Sequence, residues 1–145
     1  MPKAYASTVV NAPATAVWAA IRDFNGLPGW AAAIADSMIE DGKASDQVGC
    51  VRSMHLQDGA HIRERLISCS DVDRHYSYNF ETTPFDVLNY HATLRVTPVT
   101  DGDRSFVEWW TTFDCPPEKI DEWVATFAGA VFKGGLDALK ARFGG

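Results

Sequence analysis

Three charged side chains stand among apolar neighbours. Successive residues of a strand point to opposite faces, so Arg52 shares a face with Met54 and Leu56, and Glu64 with Ile62 and Leu66. In the stretch SFVEWWTTFD, Glu108 shares one with Phe106 and Trp110. A charge in such company needs a partner or changes its protonation state. Arginine keeps its charge and can bridge carboxylates with its planar fork. The trio therefore reads as a structural buried ion pair, as a polar patch that orients a ligand's hydroxyl or carbonyl, or as an acid–base group. Around it, Tyr76, Tyr78, Tyr90, Phe80, Trp110 and Phe127 form either an ordinary core or an apolar cavity wall with a few polar tips, the usual design of a small-ligand site.

Other chemistry is less well supported. His55 and His61 flank the hairpin LQDGA and can approach each other, but a third ligand is missing, so no metal is expected. His75 and His91 fall on a polar strand face. Cys50, Cys69 and Cys115 are odd in number, widely spaced and without a neighbouring base. They read as free thiols and suggest a cytoplasmic protein. The chain carries no GxSxG, HExxH, P-loop or dinucleotide fingerprint, and no cofactor is expected.

Positioning these groups falls to a regular alternation of elements. Lys3–Val10 reads as a strand, followed by a helix capped by Asn11 with Pro13 in its first turn, and by a short second helix carrying Trp30. Turn signals at Gly42, Asp58-Gly59, Asp71–Asp73, Thr83-Pro84 and Asp101-Gly102 then separate six more strands: Ser37–Asp41, Gly49–Leu56, His61–Cys69, Arg74–Thr82, Val87–Thr100 and Arg104–Asp114. The expected class is α+β, a seven-stranded antiparallel sheet covered by a long helix from Glu118 to Phe143. That helix has an apolar stripe of Ile120, Trp123, Val124, Phe127, Val131, Ala138 and Leu139. Gly129, Gly134 and Gly135 interrupt it, either for local packing or, at Gly134-Gly135, to leave room for a ligand over the sheet.

The 145 residues fit one domain, read as 1–145, and 46% hydrophobic content with a net charge of −6 fits a globular chain. No run of lysine or arginine is present to neutralise phosphates, which argues against a nucleic-acid partner. The opening MPKAYASTVV lacks a signal-peptide pattern, and no apolar run reaches the roughly 20 residues of a membrane helix. A monomer or weak homodimer is expected.

The segments VNAPATAVWAAIRDFNGLPGW, VGCVRSMHLQDGAHIRERLISCSD, RHYSYNFETTPFDVLNYHATLRVTP and FVEWWTTFD, in that order before a final helix, resemble the START-like helix-grip superfamily (SRPBCC). Its polyketide cyclase/dehydrase and lipid-transport branch is the part most resembled. The resemblance implies a curved sheet gripping the long helix around an internal cavity that takes lipids, polyketides or hormone-like molecules. The chain is also similar to the plant abscisic-acid receptors of that superfamily, which implies that Arg52, Glu64, Tyr90 and Glu108 point inward. Where those receptors carry a lysine for the hormone's carboxylate, this chain reads Trp30-Ala-Ala-Ala-Ile34. The expected ligand-binding set is Arg52, Met54, Glu64, Tyr78, Phe80, Tyr90, Glu108, Trp110, Phe127 and Val131. The expected function is binding or carriage of a small hydrophobic or aromatic molecule. The alternatives are a cyclase, aromatase or dehydratase acting in the same cavity, and a protein-interaction module suggested by Trp109 on the polar face.

Overall fold

The computed structural model describes residues 1–145. Seven antiparallel strands form one sheet in the order β1-β7-β6-β5-β4-β3-β2. They are β1 (Lys3–Val10), β2 (Ile34–Ile39), β3 (Val51–Leu56), β4 (His61–Ser70), β5 (His75–Thr82), β6 (Leu88–Val99) and β7 (Arg104–Asp114). From β3 to β7 each strand pairs with its sequence neighbour, as short turns dictate. β1 and β2 become the two edges because helical turns intervene between them.

Helix α1 spans Ala14–Ile21 and buries Ala14, Val17, Trp18 and Ile21. Its start differs from the expected Asn11 cap. Pro13 stands just outside the helix in an extended conformation, and its carbonyl accepts from Ala16 and Val17. The second helical piece is a 3-10 turn over Phe24–Gly29, begun by Asp23, whose carboxylate accepts from the Asn25 N–H at 2.9 Å. Trp30 lies just beyond it, and β2 starts at Ile34, three residues earlier than its polar residues suggested.

The C-terminal helix is continuous in direction but not in type. A turn at Pro117–Lys119 leads into α2 (Ile120–Ala125), a π-helical segment (Thr126–Lys133) and α3 (Gly134–Arg142). The π segment re-phases the inward stripe. Phe127 and Phe132, at i and i+5, are both buried, then Gly135, Leu136 and Leu139. A stripe extrapolated at 3.6 residues per turn misses this step, which is why Val131 is only half-buried and Ala138 is exposed.

Inside the grip lies one cluster of 29 buried residues reaching from Ala4 to Leu139. In β7 its side is Ser105, Val107, Trp109, Thr111 and Phe113, all buried, while Phe106, Glu108, Trp110 and Thr112 face outward. The expected inward orientation of Glu108 and Trp110 is thus reversed. Both faces of β7 carry aromatic residues, so alternation within the strand leaves the phase open. Pairing with β6 sets it: Leu94 lies opposite Trp109 and Arg95 opposite Glu108. In β6, Tyr90, Ala92, Leu94 and Val96 face the core as expected. Leu88 is 71% exposed, because a bulge between Leu88 and His91, with Asn89 at φ 54°, breaks the alternation there.

Candidate functional site

Arg52 and Glu64 lie directly opposite each other on β3 and β4. The Arg52 Nε donates to Glu64 Oε1 at 2.8 Å, Nη2 lies 2.6 Å from the same oxygen, and Nη1 donates to the Phe24 carbonyl at 2.8 Å. The guanidinium lies 3.9 and 4.7 Å from the ring centres of Phe24 and Tyr78, which flank it on adjoining sides with their own centres 5.9 Å apart. Arg52 has no exposed surface, and Nη2 has no well-aligned acceptor; the Tyr76 hydroxyl near it is also unsatisfied. Burial works against the Arg52 charge, but Glu64, Tyr76 and Tyr78 beside it hold its pKa above the ordinary value. Burial raises the Glu64 pKa by more than Arg52 lowers it, so this carboxyl holds its proton more tightly than an exposed one.

Beside this pair is an apolar cavity. It is lined by Leu27, Ala33, Ile34, Met54, Leu56, Ile62, Tyr78, Phe80, Phe85, Tyr90, Trp109, Phe127 and Val131, with Glu64 as the one charged group. Its void is about 40 Å³. Glu64 Oε1 is engaged by Arg52, while Oε2 accepts no hydrogen bond from the protein. The Trp109 indole donates to the Tyr78 hydroxyl at 2.9 Å, which leaves Tyr78 its own proton to donate. Burial raises the pKa of both Tyr78 and Tyr90, so both phenols stay protonated at neutral pH. Tyr90 stacks on Phe80, with ring centres 3.8 Å apart, and meets Phe127 edge-on.

Of the expected ligand-binding set, Met54, Glu64, Tyr78, Phe80, Tyr90, Phe127 and Val131 line this cavity. Arg52 lies behind it and fixes Glu64 rather than reaching the void. Glu108 and Trp110 are on the opposite face of the sheet. There the Tyr5 hydroxyl donates to Glu108 Oε1 at 2.7 Å, and Arg95 Nε and Nη2 donate to Oε2 at 3.1 and 2.9 Å. The Arg95 guanidinium also covers the Trp110 ring at 5.2 Å. Glu108 is therefore part of a surface network.

Wall residues outside the expected set are Leu27, Ala33, Ile34, Leu56, Ile62, Phe85 and Trp109. Leu56 and Ile62 share faces with Met54 and Glu64, a visible signal. Trp109 follows from the β6–β7 register. Phe85 sits in a loop, where alternation gives no guidance. Gly135 does not leave open space: a Cβ there would come within 2.8 Å of the Trp109 ring and 3.1 Å of the Trp30 ring. It makes room for two indoles.

His55 and His61 do meet, with rings stacked at 4.9 Å. Each engages a neighbour through a ring nitrogen: His55 Nδ1 lies 2.8 Å from Asp36, and His61 Nε2 lies 2.7 Å from Ser53 Oγ. No group of three or more metal-ligating side chains occurs in the structure. The three cysteines are free, and no helix is long and apolar enough to cross a membrane.

The family model for polyketide cyclase/dehydrase and lipid transport matches residues 1–144. The chain belongs to this family. Among solved structures, the polyketide cyclase/dehydrase and lipid transport fold of this chain is similar to that of the Bacillus cereus protein XoxI. The two have 33% identity and a TM-score of 0.89, over 99% of this chain and 96% of that one. A protein from Bacillus thuringiensis is 32% identical with a TM-score of 0.86, over 97% and 98%. One from Thermobifida fusca is 30% identical with a TM-score of 0.89, over 99% and 94%. A search among curated proteins finds no match. The helix-grip neighbours share the seven-stranded curved sheet and long C-terminal helix described above.

Proposed function

We propose that this member of the polyketide cyclase/dehydrase and lipid transport family binds a small, largely apolar, non-acidic molecule that presents one hydrogen-bond donor to Glu64. The observation that carries the reading is the arrangement of Glu64: the one charged group of an otherwise apolar wall, its side chain 6% exposed, with one oxygen fixed by Arg52 and the other unengaged. Oε2 takes no donor from the protein, and a ligand hydroxyl or amine can supply one there. A ligand carboxylate would meet like charge, and the Trp30–Ile34 segment offers no lysine to offset it. The reading of the chain as a docking module loses its one support, since Trp109 is 1% exposed.

Calorimetric titration with phenol and with anisole, which has the ring but no donor, tests the proposal. A hydrogen bond to a charged group contributes roughly 1.5–3 kcal/mol. Phenol is therefore expected to bind at least about tenfold more tightly, with the preference collapsing in Glu64→Gln. Equal affinity for the two compounds, or a preference that survives in Glu64→Gln, overturns it.

A further inference from the structure

The void beside Glu64 is too small for an organic ligand. At about 40 Å³ it holds a few waters, each of which needs roughly 10–15 Å³ on this measure. A molecule that reaches Glu64 must extend elsewhere, and the neighbouring space that shares most walls with this void lies toward the C-terminal helix. A second lobe of about 120 Å³ shares Leu27, Ala33, Ile34, Trp109 and Val131 with the first as common walls. Its other walls are small: Ala31 and Ala32 on the segment before β2, and Ala130, Gly134 and Gly135 on the C-terminal helix. Ala32, Ala33, Ala130 and Gly134 are exposed, so this lobe reaches the surface, and the first lobe carries the Glu64 carboxylate. Together the lobes match the roughly 150 Å³ of an engineered cavity that takes benzene.

Gly134 is the most informative wall. Its backbone is ordinary right-handed helix, at φ −57° and ψ −46°, so no conformational need calls for glycine. A Cβ there would touch only the Gly129 carbonyl oxygen, at 3.9 Å, an ordinary contact. Gly135 next to it is required by two indoles; Gly134 is required by nothing in the folded chain and weakens the helix. What a side chain at 134 would alter is the outer lobe. The π-helical segment ends at this point and brings Ala130 and Val131 onto the same wall.

We propose that the outer lobe holds the apolar body of the ligand whose donor head meets Glu64, which makes the ligand class a single-ring or similarly short amphiphile, head inward and tail toward Gly134. The inference rests on the reading above, and its test is arranged so that the two fail separately. Two probe pairs are titrated, phenol with 4-ethylphenol and anisole with 4-ethylanisole. The wild-type protein is compared with Gly134→Leu and Ala130→Leu, with Gly129→Ala as a control on the same helix away from the lobe. Burying the ethyl group is worth about fourfold per carbon, so a gain of about fifteenfold is expected in both pairs for the wild type and the control. Gly134→Leu and Ala130→Leu are expected to lose that gain at unchanged urea midpoint or higher. An ethyl gain of less than about twofold in the wild type overturns the proposal, as does a gain that persists in both leucine variants. A gain in both pairs without any preference for phenol over anisole leaves the lobe assigned and removes the role of Glu64. If either leucine variant unfolds, Gly134→Ala replaces it, with a partial loss of the ethyl gain expected and an undiminished gain counting against the lobe.

Discussion

Removing the cation behind Glu64 should make the protein's stability fall more steeply with rising pH than the wild type's does. In Arg52→Met the apolar side chain fills much of the space beside Phe24 and Tyr78, and Glu64 loses the charge that holds Oε1. Breaking a buried pair from one side costs roughly 3–5 kcal/mol. Part of this is independent of pH, because the Phe24 carbonyl loses its donor, a loss of roughly 1–3 kcal/mol if nothing replaces it. The other part is the stranded carboxylate, which can escape by taking up a proton. That escape costs about 1.4 kcal/mol for each pH unit above the ordinary carboxyl value of 4.5, or roughly 3.4 kcal/mol at pH 7 and under 1 kcal/mol at pH 5. A pKa raised in the folded state means that stability is fully present below the unfolded pKa and lost as pH rises toward the folded pKa. Urea melts of wild type and Arg52→Met at about pH 5 and about pH 7.5 should therefore show a gap that widens by about 2 kcal/mol or more at the higher pH. The double variant Arg52→Met/Glu64→Met should recover most of the pH-dependent part, since a buried pair replaced by apolar groups is often close to neutral. A gap of the same size at both pH values refutes the argument, and so does a double variant no more stable than the single one at the higher pH.

Gly135→Ala should destabilise by about 1–3 kcal/mol in urea melts, against the usual helix gain from alanine, because the new methyl lies 2.8 Å from the Trp109 ring; a stabilised variant would show that the indole moves freely. Glu108→Gln should cost about 1 kcal/mol or less and leave phenol affinity unchanged, since its partners are Tyr5 and Arg95 on the outer face; a weakened ligand would return Glu108 to the site. Asp71 is held below its ordinary pKa by hydrogen bonds from Arg22 and then Trp18. A depressed carboxyl stabilises above its unfolded pKa and ceases to do so as pH falls through the folded value. The stability gap between wild type and Arg22→Ala should accordingly be present near neutral pH and close in acid, and a gap that widens in acid would contradict this.

The sequence carried the strands and most of their faces because turn residues and period-two alternation are local signals. β7 was legible to the residue at both ends, Arg104 and Asp114. Its phase was not legible from β7 alone, where Phe106 and Trp110 on one side compete with Trp109 and Phe113 on the other. The information lay in the neighbour: the turn around Asp101-Gly102 pairs Val99 with Arg104, and the ladder then places Leu94 against Trp109. The Arg52–Glu64 pair was legible because both strands flank a short hairpin. The π-helical step was not, since one extra residue in a turn is decided by how Phe127 and Phe132 fit the sheet. The loop aromatic Phe85 was hidden for the related reason that its partners, Trp123 and Phe127, lie far along the chain.

That same division explains why Arg52 is buried so completely while contributing nothing to the wall of the cavity. An apolar cavity that contains a lone carboxyl would keep it protonated, and a protonated Glu64 would offer a ligand both a donor and an acceptor without a fixed orientation. With Arg52 held by the Phe24 carbonyl and beside two rings, Oε1 is committed to the cation and Oε2 is the oxygen left to meet a ligand. The cation thereby sets what kind of head group the cavity accepts, although it does not touch the void. Replacing Arg52 should for that reason blur the preference for phenol over anisole more than it weakens the binding of either, and that outcome is readable from the same titrations.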